Sequence, residues 1–285
     1  MNTPIFTKEI RLDGKTVIIT GGGGSLGRAM AETLVQNGAS VVLADINGPA
    51  AASAATHLAD KFDGRAMSVT CNITNADDCE CVVTQAIEKF GGLHVLVNNA
   101  GKGPANIERA PRTRSFKFWE ADPDAWQEII TTNVNGTYLM SRAATPHLVR
   151  NGWGRIVNIS TGISMMQRVE SSPYGVSKAA IESETMIWAQ DLAGTGVTVN
   201  SLQPGGAIDT PFFHEAGRKA MVAQGRKPLL PSVLESPIVW LTSDHSNGNT
   251  GGRFVASLWD DSLPMHEAAS QSQEIPALAS PECTV

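Results

Sequence analysis

The chain has 285 residues, of which 42% are hydrophobic and 18% charged, and its formal net charge is −6 at pH 7. This length and apolar content suffice for one large domain with a buried core, and the acidic balance provides no electrostatic footprint for a nucleic-acid partner. No apolar run approaches the roughly 20 residues of a membrane span, so we expect no membrane partner.

Short β-branched runs alternate with longer helical patterns along the chain. Six of these runs are predicted strands, at residues 15–20, 40–45, 65–71, 93–99, 154–160 and 197–202. Continuous apolar strands separated by helices are typical of a parallel sheet that helices cover on both faces. The sequence therefore predicts a single α/β domain over residues 1–261, with a Rossmann-type, doubly wound parallel sheet of about seven strands.

The first predicted strand leads through a glycine cluster, TGGGGSLG (20–27), into an amphipathic helix. Glycines at such a turn let backbone N–H groups and the positive helix end approach a pyrophosphate closely. A tight structural turn also requires glycines, so the cluster by itself leaves both interpretations open. If a dinucleotide binds here, its predicted contacts are Gly21, Gly24, Ser25, Leu26 and Gly27.

The second predicted strand ends in Asp45, 18 positions after Gly27, and Ile46 follows it. A carboxylate at this place accepts hydrogen bonds from an adenosine ribose and repels a 2′-phosphate. No Lys or Arg follows Asp45 immediately, so NAD is the predicted cofactor in preference to NADP. An exposed aspartate at a strand end, with no role in cofactor binding, is the alternative.

The segment SSPYGVSK (171–178) places one of the two tyrosines four residues before a lysine. In a helix, side chains four positions apart lie on the same face, so Tyr174 and Lys178 are predicted to point the same way. A nearby cation stabilises a phenolate and lowers the phenol pKa toward the working pH, which suits a proton donor and acceptor. Chance occurrence of this common pattern is the alternative.

Six motifs now stand in an order that resembles the short-chain dehydrogenase/reductase family. They are the glycine turn, NNAG (98–101), NVNG (133–136), IVNIS (156–160), YGVSK (174–178) and NSLQPG (200–205). The resemblance covers about residues 10–258. It implies an NAD-dependent enzyme that moves a hydride between nicotinamide and a secondary alcohol or ketone.

The resemblance also implies roles for individual residues. Tyr174 would be the acid/base, Lys178 would contact the nicotinamide ribose and lower the phenol pKa, and Asn133 would hold a water that relays protons from Lys178. Asn98 would be more structural than catalytic. The further cofactor contacts that it implies are Asn72, Ile73, Asn99, Ala100, Gly101, Pro204, Gly205, Ile208 and Thr210.

Some positions depart from the family pattern. The serine that holds the substrate oxygen in the family falls at Thr161, 13 positions before Tyr174, and Ser160 is adjacent. Register selects Thr161, with Ser160 supporting the loop through a hydrogen bond to the backbone; a bulge that turns Ser160 inward is the alternative. Ser25 replaces a glycine, Asn72 replaces an aspartate, and the segment 204–211 carries one extra residue, which affects Ile208 and Thr210.

Segments outside the strand pattern carry the remaining expectations. Met165, Met166, Trp119, Phe212 and Phe213 suggest an apolar or ring-bearing substrate, although core packing explains them equally well. Residues 103–122 are a predicted insertion, residues 206–230 a predicted substrate loop, and residues 262–285 a loosely ordered polar tail. Arginines within the insertion, at 109, 112 and 114, are expected to be solvated, with contact to an acidic substrate group as the alternative.

The four cysteines include no C-x-x-C pair or zinc spacing, and the N-terminus lacks a signal pattern. We therefore expect reduced thiols, no metal and a cytoplasmic location. The family resemblance further implies that helices at about 122–150 and 173–193 pair between subunits into a homodimer or homotetramer. Two alternative functions remain at this point, an NADP-dependent carbonyl reductase and a catalytically silent dinucleotide-binding protein.

Overall fold

A computed structural model describes residues 10–103, 117–210 and 215–275 of the chain. Within these ranges eight strands form one sheet in the order β3-β2-β1-β4-β5-β6-β7-β8. The strands are β1 (Thr16–Thr20), β2 (Ser40–Asp45), β3 (Ala66–Thr70), β4 (Val95–Asn98), β5 (Gly154–Ile159), β6 (Val197–Gln203), β7 (Arg253–Val255) and β8 (Gln273–Glu274). The six strands predicted from the sequence are all present, and the predicted doubly wound sheet is confirmed.

Helices connect the strands and cover both faces of the sheet. They are α1 (Ser25–Gln36), α2 (Gly48–Lys61), α3 (Ala76–Phe90), α4 (Pro123–Ile130), α5 (Gly136–Arg150), α6 (Ile163–Met166), α7 (Tyr174–Asp191), α8 (Glu215–Ala223), α9 (Glu235–Leu241) and α10 (Met265–Ser272). A π-helical turn, Thr131–Asn135, joins α4 to α5. No helix in the described ranges has the length and apolar character needed to cross a membrane.

The strand sequences explain why the sheet is buried on both sides. Val17 and Ile19 of β1 belong to one hydrophobic cluster, whereas Ile18 between them belongs to a second cluster on the opposite face. Because side chains alternate along a strand, a continuous apolar run places half of its residues in each cluster. Burial of both faces is therefore the reason that the strands lack polar alternation.

The order of the strands creates a crevice at one edge of the sheet. β1 pairs in parallel with β2 on one side and with β4 on the other. The chain winds outward from β1 to β3 and then crosses to β4, so the loops that follow β1 and β4 diverge. In open α/β sheets, ligands bind at this switch point, outside the carboxyl ends of the strands.

The C-terminal segment differs from the sequence expectation. Residues 265–274 form helix α10 and strand β8, which pairs antiparallel with β7, instead of a loosely ordered tail. Ala268 and Ala269 of α10 are buried. Small side chains let this helix approach the domain closely, so a shortage of large apolar residues did not indicate disorder here. The parallel sheet consequently ends in an antiparallel strand.

The predicted insertion at 103–122 lies mostly outside the described residues, as do the arginines at 109, 112 and 114. Its end is described, where Phe118–Glu120 form a single 3-10 turn. Asp122 then caps α4, because its carboxylate accepts a hydrogen bond from the Ala125 N–H at 2.9 Å. Cys71, Cys79 and Cys81 are free thiols, and Cys283 lies beyond the described ranges.

Candidate active site

Glycines at 21, 22, 23 and 27 of the turn after β1 are required by close packing. Gly21 has φ +64°, and a Cβ there would lie 2.9 Å from the Ala100 Cα. A Cβ at Gly27 would lie 2.3 Å from the Gly21 carbonyl oxygen, and one at Gly22 would lie 2.7 Å from the Leu43 Cβ. Side chains at these positions would force the turn open. The structural interpretation of the glycine cluster is thus correct, and it is compatible with ligand binding at the same turn.

Gly24 differs from the other turn glycines because space lies beside it. In the described chain a Cβ at Gly24 would meet the Gly21 carbonyl oxygen at 3.3 Å and otherwise open space. Gly24 is the N-cap of α1, and no described side chain caps this helix. An uncapped helix start with free space beside it suits a pyrophosphate. Ser25 and Leu26, both half-buried, begin the helix, so Ser25 presents its N–H at the same place.

The loop after β4 holds the glycine turn in position. Asn99 Nδ2 donates to the Thr20 carbonyl at 2.8 Å and to the Gly21 carbonyl at 3.2 Å. The Thr20 hydroxyl accepts hydrogen bonds from the N–H groups of Asn99 and Ala100, each at 3.0 Å. Asn98 is buried, and its Nδ2 donates to Ser141 and Asn158, a structural arrangement.

Asp45 lies beside the glycine turn at the end of β2. Its carboxylate accepts hydrogen bonds from the N–H groups of Gly23 and Asn47, both at 2.9 Å. These bonds fix the carboxylate next to the turn, where it can meet the ribose of a dinucleotide. Ile46 follows with its side chain exposed. The chain's residues therefore fit the adenosine half of the cofactor that the family resemblance implies.

Asn72 and Ile73, the predicted adenine contacts, lie in the loop that follows β3. Asn72 Oδ1 accepts hydrogen bonds from the N–H and the hydroxyl of Thr74, at 3.1 Å and 2.9 Å. The side chain of Ile73 is buried against Gly136, where a Cβ would lie 2.6 Å from the Ile73 Cδ1. The side chain of Ile73 therefore belongs to the core, and a contact from this residue to adenine would be made by its backbone.

Tyr174 and Lys178 lie on the first turns of α7, as the sequence predicted. Lys178 Nζ lies 6.0 Å from the centroid of the Tyr174 ring and donates to the Ile159 carbonyl at 2.8 Å. Burial lowers the pKa of Lys178 to about 8, while the negative charge of Glu182 opposes this change. The ammonium stands beside Gly101, where a Cβ would lie 3.7 Å from Nζ. A side chain at Gly101 would touch the lysine only at ordinary contact distance, whereas it would crowd Asn133 Oδ1, which would lie 3.2 Å from the Cβ.

The expected lowering of the Tyr174 pKa is wrong for the protein without ligand. Burial raises the pKa of Tyr174 to about 12, because a phenolate loses hydration in this environment, and a hydrogen bond with the Thr161 side chain opposes the increase. The lysine is itself hydrogen-bonded to a carbonyl of the chain. Desolvation therefore outweighs the effect of Thr161, and Tyr174 keeps its proton at neutral pH.

Thr161 and Ser160 follow β5 and differ in their surroundings. The Thr161 side chain lies near the Tyr174 phenol and lowers its pKa against the effect of burial. Ser160 is buried, and its hydroxyl has no hydrogen-bond partner among the described residues. The expectation that the Ser160 hydroxyl supports the loop by a hydrogen bond is therefore wrong. Ser160 contributes through its N–H, which donates to the Leu202 carbonyl at 2.9 Å as the sheet pairing continues.

Asn133 is fully buried in the π-helical turn, and its amide is engaged with the chain. Its Oδ1 accepts from the Lys102 N–H at 2.7 Å, and its Nδ2 donates to the Lys102 carbonyl and the Ser177 hydroxyl, each at 2.9 Å. These bonds link the loop after β4 to α7, directly beside Gly101. The proposed water relay stays a prediction, whereas the positioning of Lys102 and Ser177 is observed.

The segment after β6 carries the predicted nicotinamide contacts. Gly205 follows Pro204 with φ +89°, and a Cβ there would lie 1.9 Å from the Ser257 hydroxyl. Ile208 forms a bridge with Leu229, and Ile208 and Thr210 are buried. This bridge orders the segment despite its extra residue. Contact of Ile208 and Thr210 with a cofactor stays a prediction.

An open cleft of about 480 Å³ lies next to the segment that leads into α7. Phe118 and Trp119 contribute an edge-to-face aromatic pair with ring centroids 5.1 Å apart, and both side chains are exposed. The other lining residues are Lys117, Arg168, Val169, Glu170 and Ser172. Met165 and Met166 are half-buried on α6, and Phe212 and Phe213 lie outside the described residues. Ser172, which lines the cleft, precedes Tyr174 by two positions in the chain.

Sequence reasoning missed the charged residues behind the site. Arg253 on β7 is fully buried and donates to the Thr161 carbonyl at 3.0 Å and to Glu182 at 3.2 Å. Glu182 follows Lys178 by four positions, so helical spacing was a signal for its place on the same face. Neither Arg253 nor Glu274, its second carboxylate partner, was marked by a local signal.

No cluster of three or more metal-ligating side chains occurs in the described ranges.

The chain has a doubly wound α/β fold, with a glycine turn and a Tyr-x-x-x-Lys pair at the switch point of the sheet. These features define the class of Rossmann-type dinucleotide-binding folds. A sequence model of the short chain dehydrogenase family matches residues 15–220. The chain belongs to the short-chain dehydrogenase family, whose members are oxidoreductases.

Individual relatives cover most of this chain. The 3-oxoacyl-(acyl-carrier-protein) reductase FabG of Thermotoga maritima is 30% identical over 247 residues, which are 85% of this chain and 96% of that protein. The 3-alpha-(or 20-beta)-hydroxysteroid dehydrogenase of Mycobacterium tuberculosis is 31% identical over 245 residues, 86% of this chain and 88% of that protein.

Solved structures agree with this assignment. The 3-ketoacyl-(acyl-carrier-protein) reductase from Brucella melitensis, complexed with NADH, matches with a TM-score of 0.74 and 29% identity, covering 85% of this chain and 96% of that chain. An NAD⁺-bound xylitol dehydrogenase matches with a TM-score of 0.74 and 25% identity over the same shares.

Proposed function

We propose that the protein is an NAD-dependent oxidoreductase that transfers a hydride between nicotinamide and a secondary alcohol or ketone, with Tyr174 as general acid/base. One observation carries the proposal: Lys178 Nζ lies 6.0 Å from the centroid of the Tyr174 ring on one face of α7, and the Thr161 side chain is close enough to the phenol to lower its pKa. A hydroxyl donor, a phenol and an ammonium at one place suit the oxygen of a carbonyl or carbinol.

The residues of the chain supply proton transfer and orientation. With a pKa of about 12, Tyr174 is protonated at neutral pH and donates its proton to a carbonyl oxygen as negative charge develops there. The Thr161 hydroxyl donates a second hydrogen bond to the same oxygen. Lys178 uses one N–H on the Ile159 carbonyl and has two left for a ribose diol. Bound nicotinamide supplies or accepts the hydride.

NAD is the proposed cofactor, and NADP is the less favoured one. The Gly23 and Asn47 N–H groups fix the Asp45 carboxylate beside the glycine turn, which supports a role for it in accepting from the ribose and repelling a 2′-phosphate. Two structural relatives were solved with NADH and NAD⁺. The proposed preference for NAD rests on repulsion between the Asp45 carboxylate and the 2′-phosphate of NADP. It does not rest on the absence of a contact to that phosphate.

Replacing Asp45 tests the cofactor assignment. We expect Asp45→Ser to lower the ratio of kcat/KM for NAD(H) over NADP(H) by at least about tenfold, because the substitution replaces the charged carboxylate acceptor of the ribose by a neutral hydroxyl. Asp45→Asn is the matched variant that keeps an acceptor for the Gly23 N–H while removing the charge. Equal or better turnover of NADP(H) by the unmodified protein would contradict the assignment.

The proposed substrates are apolar or ring-bearing secondary alcohols and ketones. The cleft beside α7 presents the exposed rings of Phe118 and Trp119 and the exposed side chain of Val169. Exposed large apolar groups that line one cleft are typical of a binding surface for an apolar ligand. One relative, the hydroxysteroid dehydrogenase, is named for a polycyclic substrate.

A panel of secondary alcohols and ketones, followed at the nicotinamide absorbance with NAD(H) and NADP(H), tests the function. We expect turnover with NAD(H), and a higher kcat/KM for cyclic and aromatic members than for short acyclic ones. Binding of cofactor without turnover of any panel member would favour the alternative of a catalytically silent dinucleotide-binding protein. Turnover with NADP(H) alone would favour the alternative reductase.

We further propose a homodimer or homotetramer that works in the cytoplasm. Exposed apolar side chains support an interface on the two helical segments that the resemblance singled out, namely Tyr138 and Val149 on α5 and Val176 and Ile187 on α7. Their burial against a second copy would remove apolar surface from water.

A further inference from the structure

A buried arginine lies directly behind the candidate active site. Arg253 of β7 is 0% exposed, and its guanidinium reaches three elements of the fold. Nε lies 3.2 Å from the Glu182 carboxylate on α7, Nη1 pairs with the Glu274 carboxylate on β8, and Nη2 donates to the Thr161 carbonyl at 3.0 Å. A buried cation with well-placed partners on several sides holds them in one geometry, because the planar guanidinium fork has fixed donor directions.

The Arg253 contacts reach the two elements that present the candidate catalytic groups. Glu182 follows Lys178 by four positions and Tyr174 by eight, so it lies on the same face of α7. Thr161 belongs to the short turn between β5 and α6, and Gly162 follows it. The Thr161 carbonyl lies between the end of β5 and the start of α6, so a hydrogen bond to it from another element helps to keep its orientation. Arg253 supplies that contact.

The C-terminal segment completes the arginine's surroundings. Strand β8 places Glu274 directly opposite Arg253 in the antiparallel register, and α10 before it is anchored by buried Ala268 and Ala269. Gln203 Nε2 also lies 3.4 Å from the Glu274 carboxylate. Without Glu274, Arg253 keeps a single carboxylate partner, Glu182, and is free to move toward it and away from Thr161.

We propose that Glu274 and Arg253 are positioning residues, through which the C-terminal segment sets the orientation of Thr161 toward Tyr174. The proposal rests on the proposed function, since it assigns the residues that hold that site. Residues 265–274 would then be required for full turnover although they act on Thr161 through Arg253. The competing interpretation is that β8 merely closes the edge of the sheet, in which case its loss lowers stability and leaves turnover unchanged.

A double-mutant cycle with Thr161 distinguishes the two interpretations. We expect Glu274→Ala to lower kcat about tenfold in the unmodified protein, and by less than about twofold in a Thr161→Val background, because the effect passes through Thr161. Glu267→Gln, which removes an exposed carboxylate from α10, is the matched control and should change neither kcat nor Tm. Glu274→Gln, which keeps the shape and one acceptor, should recover part of the lost turnover.

A spectroscopic measurement separates failure of this proposal from failure of the proposed function. The chain has two tyrosines, so isotope-labelled tyrosine gives two NMR signals, which Tyr138→Phe assigns. We expect Glu274→Ala and Thr161→Val to shift the Tyr174 signal in the same direction in the protein without ligand, and Glu267→Gln to shift neither signal.

The outcomes lead to different conclusions. An unchanged Tyr174 signal in Glu274→Ala, or equal loss of kcat with and without the Thr161 hydroxyl, would overturn the positioning role. Absence of turnover by the unmodified protein on the whole panel would instead count against the proposed function, and the Tyr174 signal would still decide whether Glu274 acts on Thr161.

Discussion

Tyr174→Phe is expected to lower kcat by at least about a hundredfold while cofactor binding is retained. The substitution keeps the ring and removes only the hydroxyl that carries the proton. Because the ring remains, packing at the start of α7 should be preserved, and Tm should change little. Steady-state kinetics on an active panel member, together with NADH fluorescence titration, measure the two quantities separately.

Tyr138→Phe is the matched control for this prediction. Tyr138 is the other tyrosine of the chain and lies half-exposed on the first turn of α5. It should leave both kcat and the NADH dissociation constant unchanged. If Tyr174→Phe turned over substrate at the original rate, Tyr174 would not be the acid/base and the proposed mechanism would be abandoned.

Thr161→Val is expected to lower kcat/KM by on the order of a hundredfold, about 3 kcal/mol of transition-state stabilisation. Valine has nearly the same shape and lacks the hydroxyl, which in the structure lies near the Tyr174 phenol and lowers its pKa. Loss of a donor aimed at a developing oxyanion has a larger effect than loss of an ordinary hydrogen bond, which contributes about 1 kcal/mol. Thr161→Ser should restore most of the activity, because the donor returns.

Ser160→Ala is the comparison that decides between the two neighbouring hydroxyls. The Ser160 hydroxyl is buried without a described partner, so its removal should leave kcat/KM within about threefold and should not lower Tm, since no hydrogen bond is lost. A larger loss of kcat/KM in Ser160→Ala than in Thr161→Val would show that a local bulge turns Ser160 toward the substrate. The assignment of Thr161 would then be wrong.

Much of the fold follows from local patterns in the sequence. The strands that form the parallel sheet are short, continuous apolar runs, and such runs predict buried parallel strands because both faces of the sheet are covered. Strand β7, with only three residues, was too short for this signal, and the final strand β8 carries no apolar run. The mostly polar α10 was mistaken for loose chain because its burial depends on alanines.

The candidate site was predictable where its chemistry is local in the chain. The glycine turn, Asp45 after β2 and the Tyr174–Lys178 pair each lie within one turn, strand end or helix face, so spacing alone indicated their arrangement. Local spacing also suggested that the cation lowers the phenol pKa. The structure raises it instead, because burial depends on residues from the whole fold.

The sequence by itself therefore determined the doubly wound fold, the dinucleotide-type turn and the identity of the Tyr-Lys pair. Only the tertiary structure decided that the Ser160 hydroxyl is buried without a described partner, what Asn133 contacts and how the C-terminal segment reaches the site. Arg253 and Thr161 are 92 positions apart, and they meet because β7 and β5 belong to one sheet with β6 between them. Local periodicity reports which face of an element is buried, whereas a hydrogen bond between distant residues depends on the packing of all the elements that separate them.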